Sequence, residues 1–189
     1  MGVIRKIASA ESLQLQKHLI RLDPESRRLR FGAIVRDQHI TRFIETLNWS
    51  TSIHLGYFDR GRLYGAAHLV AFDDSGTPGV EYAVSVEAPH QNSGIGTELT
   101  RRAITIARNR GLRELYMICL RENARMQHIA RKVGATVILA GIEVEGRVTL
   151  PSADPVSLWQ EAFDDGTGLV AETLGQLPTP MTVLRLTDD

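Results

Sequence analysis

The chain has 189 residues, 43% hydrophobic and 23% charged, a composition that fits one soluble domain, or one domain with an appendage. Lys and Arg number 22 against 22 Asp and Glu, a formal net charge of +0, which argues against broad attraction to nucleic acid or anionic lipid. No run of about 18 apolar residues suggests a membrane span, and the charged start, Met1 to Lys6, lacks the pattern of a signal peptide.

In chain order, Val3 to Ile7 predicts a short strand. Ser9 to Leu22 predicts a helix with Ser9 as N-cap and Leu13 and Ile20 on successive turns. Asp23-Pro24-Glu25 suits a second helix start, because proline fits the first helical turn. Ser26 to Leu47 then reads as one or two helices broken near Gly32, with Phe43, Ile44 and Leu47 as the buried stripe.

From Ile53 the period changes. Ile53–Phe58 and Leu63–Phe72 predict strands joined by a tight turn at Asp59-Arg60-Gly61. A loop from Asp73 to Gly79 precedes a third antiparallel strand, Val80 to Val86. Alternation puts Val80, Tyr82, Val84 and Val86 on one face and Glu81, Ala83 and Ser85 on the other.

Glu87 to Gly96 reads as a loop, and Thr97 to Arg110 as a helix with Leu99, Ala103, Ile106 and Ala107 in its stripe and Gly111 as its stop. Glu114–Leu120 predicts a strand. Asn123–Val133 predicts a helix buried through Met126, Ile129, Ala130 and Val133. Thr136–Ala140 and Arg147–Leu150 form a hairpin around Gly141–Gly146. The order of elements predicts a mixed α/β sheet. After Pro151 two short helices are expected, Val156–Phe163 and Leu169–Leu177, with Trp159 and Phe163 on one face. We expect a main domain over 1–150 and a helical extension over 151–189, serving as a flap or as a homodimer contact.

Single Cys119 rules out an internal disulfide and a Cys-based zinc site, which fits a reducing cytoplasm. Six histidines show no i, i+4 pair, so no metal is expected.

The chemistry gathers at Gln91-Asn92-Ser93-Gly94-Ile95-Gly96, between a strand and a helix. Glycines leave backbone N–H groups clear to converge on a phosphate, and the helix start adds its dipole. A P-loop is excluded because Thr97-Glu98 follows Gly96 where Lys-Ser/Thr is needed. A dinucleotide fingerprint is excluded because Leu99 stands where a third small residue belongs and antiparallel strands precede the loop.

Glu81 to Ala135 resembles the acetyl-CoA-binding heart of the GNAT acyltransferases, whose signature Gln/Arg-x-x-Gly-x-Gly/Ala stands here as Gln91-x-x-Gly94-x-Gly96. The family's second motif stands as Met117 to Asn123 followed by Val133-Gly134-Ala135. The resemblance implies the GNAT fold, an antiparallel N-terminal meander followed by splayed parallel strands. It also implies acetyl-CoA as cosubstrate and a primary amine as acceptor. Gln91, Asn92, Ser93, Gly94, Ile95, Gly96 and Thr97 would hold the pyrophosphate, and the pantetheine would pair with backbone at Val84, Ser85 and Val86. Asn123 and Met126 complete the implied cofactor-binding set.

Two positions depart from the family. Ala130 replaces a tyrosine that protonates the departing thiolate in many relatives, and Ala135 replaces an aromatic. A lysine amine, with a pKa about 10.4, costs roughly 4 kcal/mol to present unprotonated at pH 7, so a base acting through water is needed. Glu81 is the candidate. Asp23-Pro24-Glu25-Ser26-Arg27-Arg28-Leu29-Arg30-Phe31 is similar to the Pro-x-Ser-x-x-x-Arg-Phe segment of bacterial Pat-type protein lysine acetyltransferases, which implies a protein lysine as the acceptor, with a small amine as the alternative. His68 is a candidate proton shuttle, and Arg101, Arg102 and Arg108 are candidate contacts for the 3′-phosphate. The competing reading is a non-catalytic acyl-CoA-sensing regulatory module.

Overall fold

The computed structural model describes residues 2–74 and 77–175. Strand β1 (Val3–Lys6) is followed by a 3-10 turn, Ser9–Glu11, and helix α1 (Ser12–Arg21). Ser9 is therefore not the cap of this helix. Glu11 organises the entry instead, accepting hydrogen bonds from the Ala8 amide at 3.0 Å and from both terminal nitrogens of Arg5 at 2.8 and 2.7 Å. Asp23 caps helix α2 (Pro24–Phe31) by accepting from the Ser26 N–H at 2.9 Å. Gly32 ends that helix at φ 72°, a conformation that costs glycine little. Helix α3 (Asp37–Glu45) follows. Its deepest residue is Ile40, fully buried one turn before Ile44, while Phe43 and Leu47 are half-buried.

Strands β2 (Ser52–Asp59), β3 (Arg62–Asp74) and β4 (Thr77–Val86) form the expected antiparallel meander. Most of the stretch expected as a loop, Asp73–Gly79, is strand, with Asp73 opposite Pro78 and Asp74 opposite Thr77. Helix α4 (Ile95–Asn109) starts two residues earlier than expected, and its four stripe residues are all buried. Next come β5 (Glu114–Leu120), α5 (Ala124–Lys132), β6 (Thr136–Ala140) and β7 (Glu143–Thr149). The last strand begins at Glu143, four residues ahead of expectation, so the hairpin turn is reduced to Gly141 and Ile142.

Seven strands form one sheet in the order β1-β2-β3-β4-β5-β7-β6. Among the described strands only β4 and β5 pair in parallel. One face carries α4 and α5 over Tyr82, Leu99, Leu115 and Met117. The other carries α1 and α3 over Leu15, Leu19, Ile40 and Ala66. Each buried Leu or Ile contributes about 1.5–3 kcal/mol, so both layers hold the sheet.

After Pro151 a single helix, α6 (Pro155–Gly175), replaces the two short ones expected. Residues 176 and 177 of the second expected helix lie outside the described residues.

Candidate active site

The parallel pairing of β4 with β5 covers only Gly79–Glu81 against Glu114–Tyr116. Beyond Glu81 and Tyr116 these strands part, while β5 stays paired with β7 on its other edge along its whole length. The edge of β4 from Tyr82 to Val86 is thus left without a strand partner on that side. A cavity of about 480 Å³ opens there. β4 contributes Val84, Ser85 and Val86 to its wall, the glycine loop and α4 contribute Gln91, Asn92, Gly94, Gly96 and Thr97, and α5 contributes Asn123 and Met126.

Ten of the thirteen site residues expected from the sequence therefore surround one cavity. Ser93 and Ile95 do not line it: the Ser93 hydroxyl donates to the His90 carbonyl at 2.5 Å, and Ile95 packs over Gly65. Glu81 is also outside the lining. It is exposed and stands at the last paired rung before the strands part.

The loop is built to present amides. Asn92 has φ 59° and Gly94 φ 86°, and Gly94 is the N-cap of α4. No acceptor among the described residues pairs with the backbone N–H groups of Asn92 through Thr97. Unpaired amides converging at a helix start form an anion site. A Cβ on Gly94 would meet open space, so glycine is needed there for its φ, whereas a Cβ on Gly96 would come 3.0 Å from Ile129 Cδ1. Gln91 braces the loop, its Nε2 donating to the Val86 carbonyl at 2.8 Å and to Ser26 Oγ at 3.1 Å. Tyr82 OH lies 2.9 Å from Thr100 Oγ1, which donates to the Gly96 carbonyl at 2.7 Å, tying β4 to the first turn of α4. Asn123 Oδ1 caps α5 by accepting from the Met126 amide at 3.1 Å.

No carboxylate lines the cavity among the described residues, whereas Arg30, Arg125 and Lys132 all do. The potential favours a polyanion. Burial pulls the Arg30 guanidinium down to about 10, against the opposing attraction of Glu81. Sequence reasoning missed Arg125 and Lys132, although with His128 they stand at i, i+3 and i+7 on α5, a readable polar stripe. Arg101, Arg102 and Arg108 are engaged elsewhere, with Glu98, with the Ile4 carbonyl and with Asp154 respectively. Of the arginines on α2, Arg27 donates to the Ile20 carbonyl at 2.5 Å and Arg28 pairs with Glu25 and Glu122. Only Arg30 of that cluster reaches the cavity. Ala130 is buried against Gly146 on β7, away from the lining. The residues present thus fit a pyrophosphate-bearing thioester with an extended arm, held by amides at one end and by an open strand edge along its length.

Residues 18–135 match the acetyltransferase (GNAT) family. The chain belongs to that family. Solved structures share its fold. The GNAT domain of S. lividans PAT superposes with a TM-score of 0.67 at 22% identity, covering 78% of this chain and 89% of that one. The Salmonella typhimurium protein yncA, solved with acetyl-CoA, gives 0.63 at 17% identity over 82% and 96%. The PaiA N-acetyltransferase of Thermoplasma acidophilum, solved with coenzyme A, gives 0.60 at 19% over 79% and 99%. A comparison with curated protein sequences returns no match. Among the described residues no helix is long and apolar enough to cross a membrane, and no group of three or more His, Cys, Asp or Glu is placed to hold a metal ion.

Proposed function

We propose that this GNAT protein is a cytoplasmic N-acyltransferase that moves acetyl from acetyl-CoA to a primary amine, on a protein lysine or a small molecule, by direct attack. The observation that carries this reading is the row of unpaired amides from Asn92 to Thr97 at one end of a cationic cavity whose wall is an open strand edge. The loop amides would take the pyrophosphate. Backbone at Val84 to Val86 would align the pantetheine and stabilise the oxyanion, with Asn123 and Met126 on the opposite wall. On β4 the backbone groups of Ser85 face β3 and those of Val84 and Val86 face the opening, and the Val86 carbonyl already accepts from Gln91, so the Val84 backbone and the Val86 amide would do this work.

Glu81, at the apex where β4 and β5 part, would remove the first proton of the ammonium acceptor through a water. With the Pat-like segment 23–31 forming α2 beside the cavity, a protein lysine is the acceptor class tested first. The exposed stripe Val156, Trp159 and Phe163 on α6 is the surface proposed for self-association. The domain would comprise residues 1–150, with 151–189 as its extension.

Acetyl-CoA at about a hundred times its dissociation constant adds roughly 2.7 kcal/mol of stability, so the melting temperature should rise by a few degrees. Gly94→Glu, which puts a bulky anion at the amide row, should abolish that rise. Glu81→Gln should lower kcat about a hundredfold or more while leaving acetyl-CoA affinity within about twofold. Equal loss of both would remove Glu81 from the role of base. The second reading, an acyl-CoA sensor, is favoured by Ala130, which supplies no acid. It predicts a thermal shift without turnover on any lysine peptide or polyamine.

A further inference from the structure

Helix α1 lays one imidazole under the end of β4. His18 is completely buried, with Nε2 2.9 Å from Ser85 Oγ and Nδ1 3.0 Å from Glu87 Oε1. Glu87 is held in turn by Arg21, whose Nη2 and Nε approach Oε1 at 2.7 and 3.1 Å, and Arg62 lies 3.7 Å from Oε2. These hydrogen bonds keep the Glu87 carboxyl below its usual range despite burial. Burial also holds His18 below the ordinary imidazole value. Arg21 and Arg30 push the same way, and Glu87 opposes them.

The tautomer follows from these partners. A carboxylate only accepts, so Nδ1 carries the proton, Nε2 offers its lone pair, and the Ser85 hydroxyl donates to it. Ser85 is at the same time part of the cavity wall. Among the lining residues there is no Asp, Glu, Tyr or Cys. His90 and His128 line the cavity too, but neither ring is hydrogen-bonded to a carboxylate among the described residues. Ser85 is thus the group that joins the cavity to a buried base backed by an ionised acid.

Resting on the N-acyltransferase reading, the proton count gives this trio a task. An ammonium acceptor sheds one proton before attack and a second after its nitrogen has bonded to the acyl carbon. The departing sulfur needs one proton, and Ala130 cannot supply it. We propose that Ser85 Oγ takes the second amine proton while passing its own to His18 Nε2, and that the same path returns a proton to the leaving sulfur. The N–C bond forms, the C–S bond breaks, one proton moves from nitrogen to sulfur, and nothing is oxidised or reduced. The trio ends the cycle in its starting protonation state. Ser85 is the catalytic residue here. His18 and Glu87 act through it as positioning residues, with the imidazole holding the proton in transit and the carboxylate stabilising it.

The test compares the full-length protein with Ser85→Ala, His18→Gln and Glu81→Gln on two acceptors, a lysine peptide and hydroxylamine, which is already unprotonated at neutral pH. Acetyl-CoA affinity is measured in parallel by calorimetry. Ser85→Ala and His18→Gln should lower kcat by about a hundredfold or more with both acceptors, with acetyl-CoA affinity within about twofold of wild type. Glu81→Gln should be impaired with the lysine peptide and close to wild type with hydroxylamine. His18→Gln removes a buried side chain, so if it does not fold, Ser85→Ala alone decides. Ser85→Ala activity within about fivefold of wild type would overturn the relay and leave the transferase reading standing. So would a loss of activity matched by a loss of acetyl-CoA affinity, or an acetyl group found on Ser85. Wild-type protein that binds acetyl-CoA but turns over neither acceptor would overturn both.

Discussion

His54 and His68 face each other as register partners on β2 and β3, their Nδ1 atoms 2.9 Å apart, and His54 Nε2 lies 2.9 Å from Ser52 Oγ. One ring must donate and the other accept, so both cannot be protonated at once. Burial pushes His54 down to about 4 and His68 to about 3, and the nearby Arg30 acts in the same direction. An unfolded imidazole protonates near 6.5. Below that value the unfolded chain binds protons that the folded chain refuses, so stability is full above about pH 6.5 and falls as the pH drops towards 4 and then 3. His18, also lowered by burial, adds to the same slope. Carboxylates held low in the fold, such as Glu11 and Glu87, lose their contribution only below their unfolded values near 4.5, so between pH 7 and pH 5 the histidines dominate the slope. Urea unfolding at pH 7 and pH 5 should therefore show a clear loss at pH 5, and His68→Leu should flatten it. An unchanged slope in that variant would exclude the pair as its source. At this scale the glycine spacing and the alternation that isolates Glu81 were legible in the sequence. The partners of His18 were not, because Ser85 and Glu87 lie 67 and 69 residues away and only the packing of α1 on the sheet brings them together.

At the scale of the element, residues 155–166 of α6 pack with their polar side inward. Ser157 is buried, its hydroxyl donating to Asn109 Oδ1 at 2.6 Å, while Asn109 Nδ2 donates to the Ser157 carbonyl and to Glu161 Oε2, both at 2.9 Å. Glu161 also meets Lys6 at 3.0 Å and Arg110 at 3.1 Å, and Arg102 lies 3.3 Å from Asp164. Trp159 and Phe163 stay 76% and 69% exposed, so over residues 155–166 the helix meets the domain through polar groups. Hydrophobic periodicity located the face shared by Trp159 and Phe163 but is blind to docking through amides and charges. Asn109→Ala removes the three hydrogen bonds that join α4 to α6, although the Ser157 hydroxyl keeps the Asp154 carbonyl as an acceptor at 2.9 Å, and should cost about 0.5–1.5 kcal/mol. Limited proteolysis should then cut residues 150–155 faster, and more so at about 1 M salt, where exposed ion pairs are screened. No change in cleavage would mean that other contacts hold the helix. The early start of β7 is explained by Gly146. This residue reads as a turn signal, yet it is an inward strand position where a side chain would come 3.2 Å from Ala130.

Over the whole molecule, the succession of meander, helix, strand, helix and hairpin was legible from period alone. The insertion of β7 between β5 and β6 was not, since strand order depends on pairing between distant segments. The parting of β4 from β5 beyond Glu81 and Tyr116 was not legible either, while the other edge of β5 stays paired with β7 from Glu114 to Leu120. Acetyl-CoA should slow amide hydrogen exchange at Val84 and Val86 and within Asn92–Thr97 and leave β1 and β6 unchanged. Protection spread evenly over the sheet would show general tightening instead. A sheet open at its middle is completed by whatever occupies the opening, and an occupant that binds only the folded chain shifts the folding equilibrium by mass action. Changes of about 1–2 kcal/mol in that equilibrium alter how much protein a cell retains against its proteases several-fold. On the proposed function, the lifetime of this protein would lengthen when acyl-CoA is plentiful and shorten when it is scarce, so that its abundance follows the supply of its own donor.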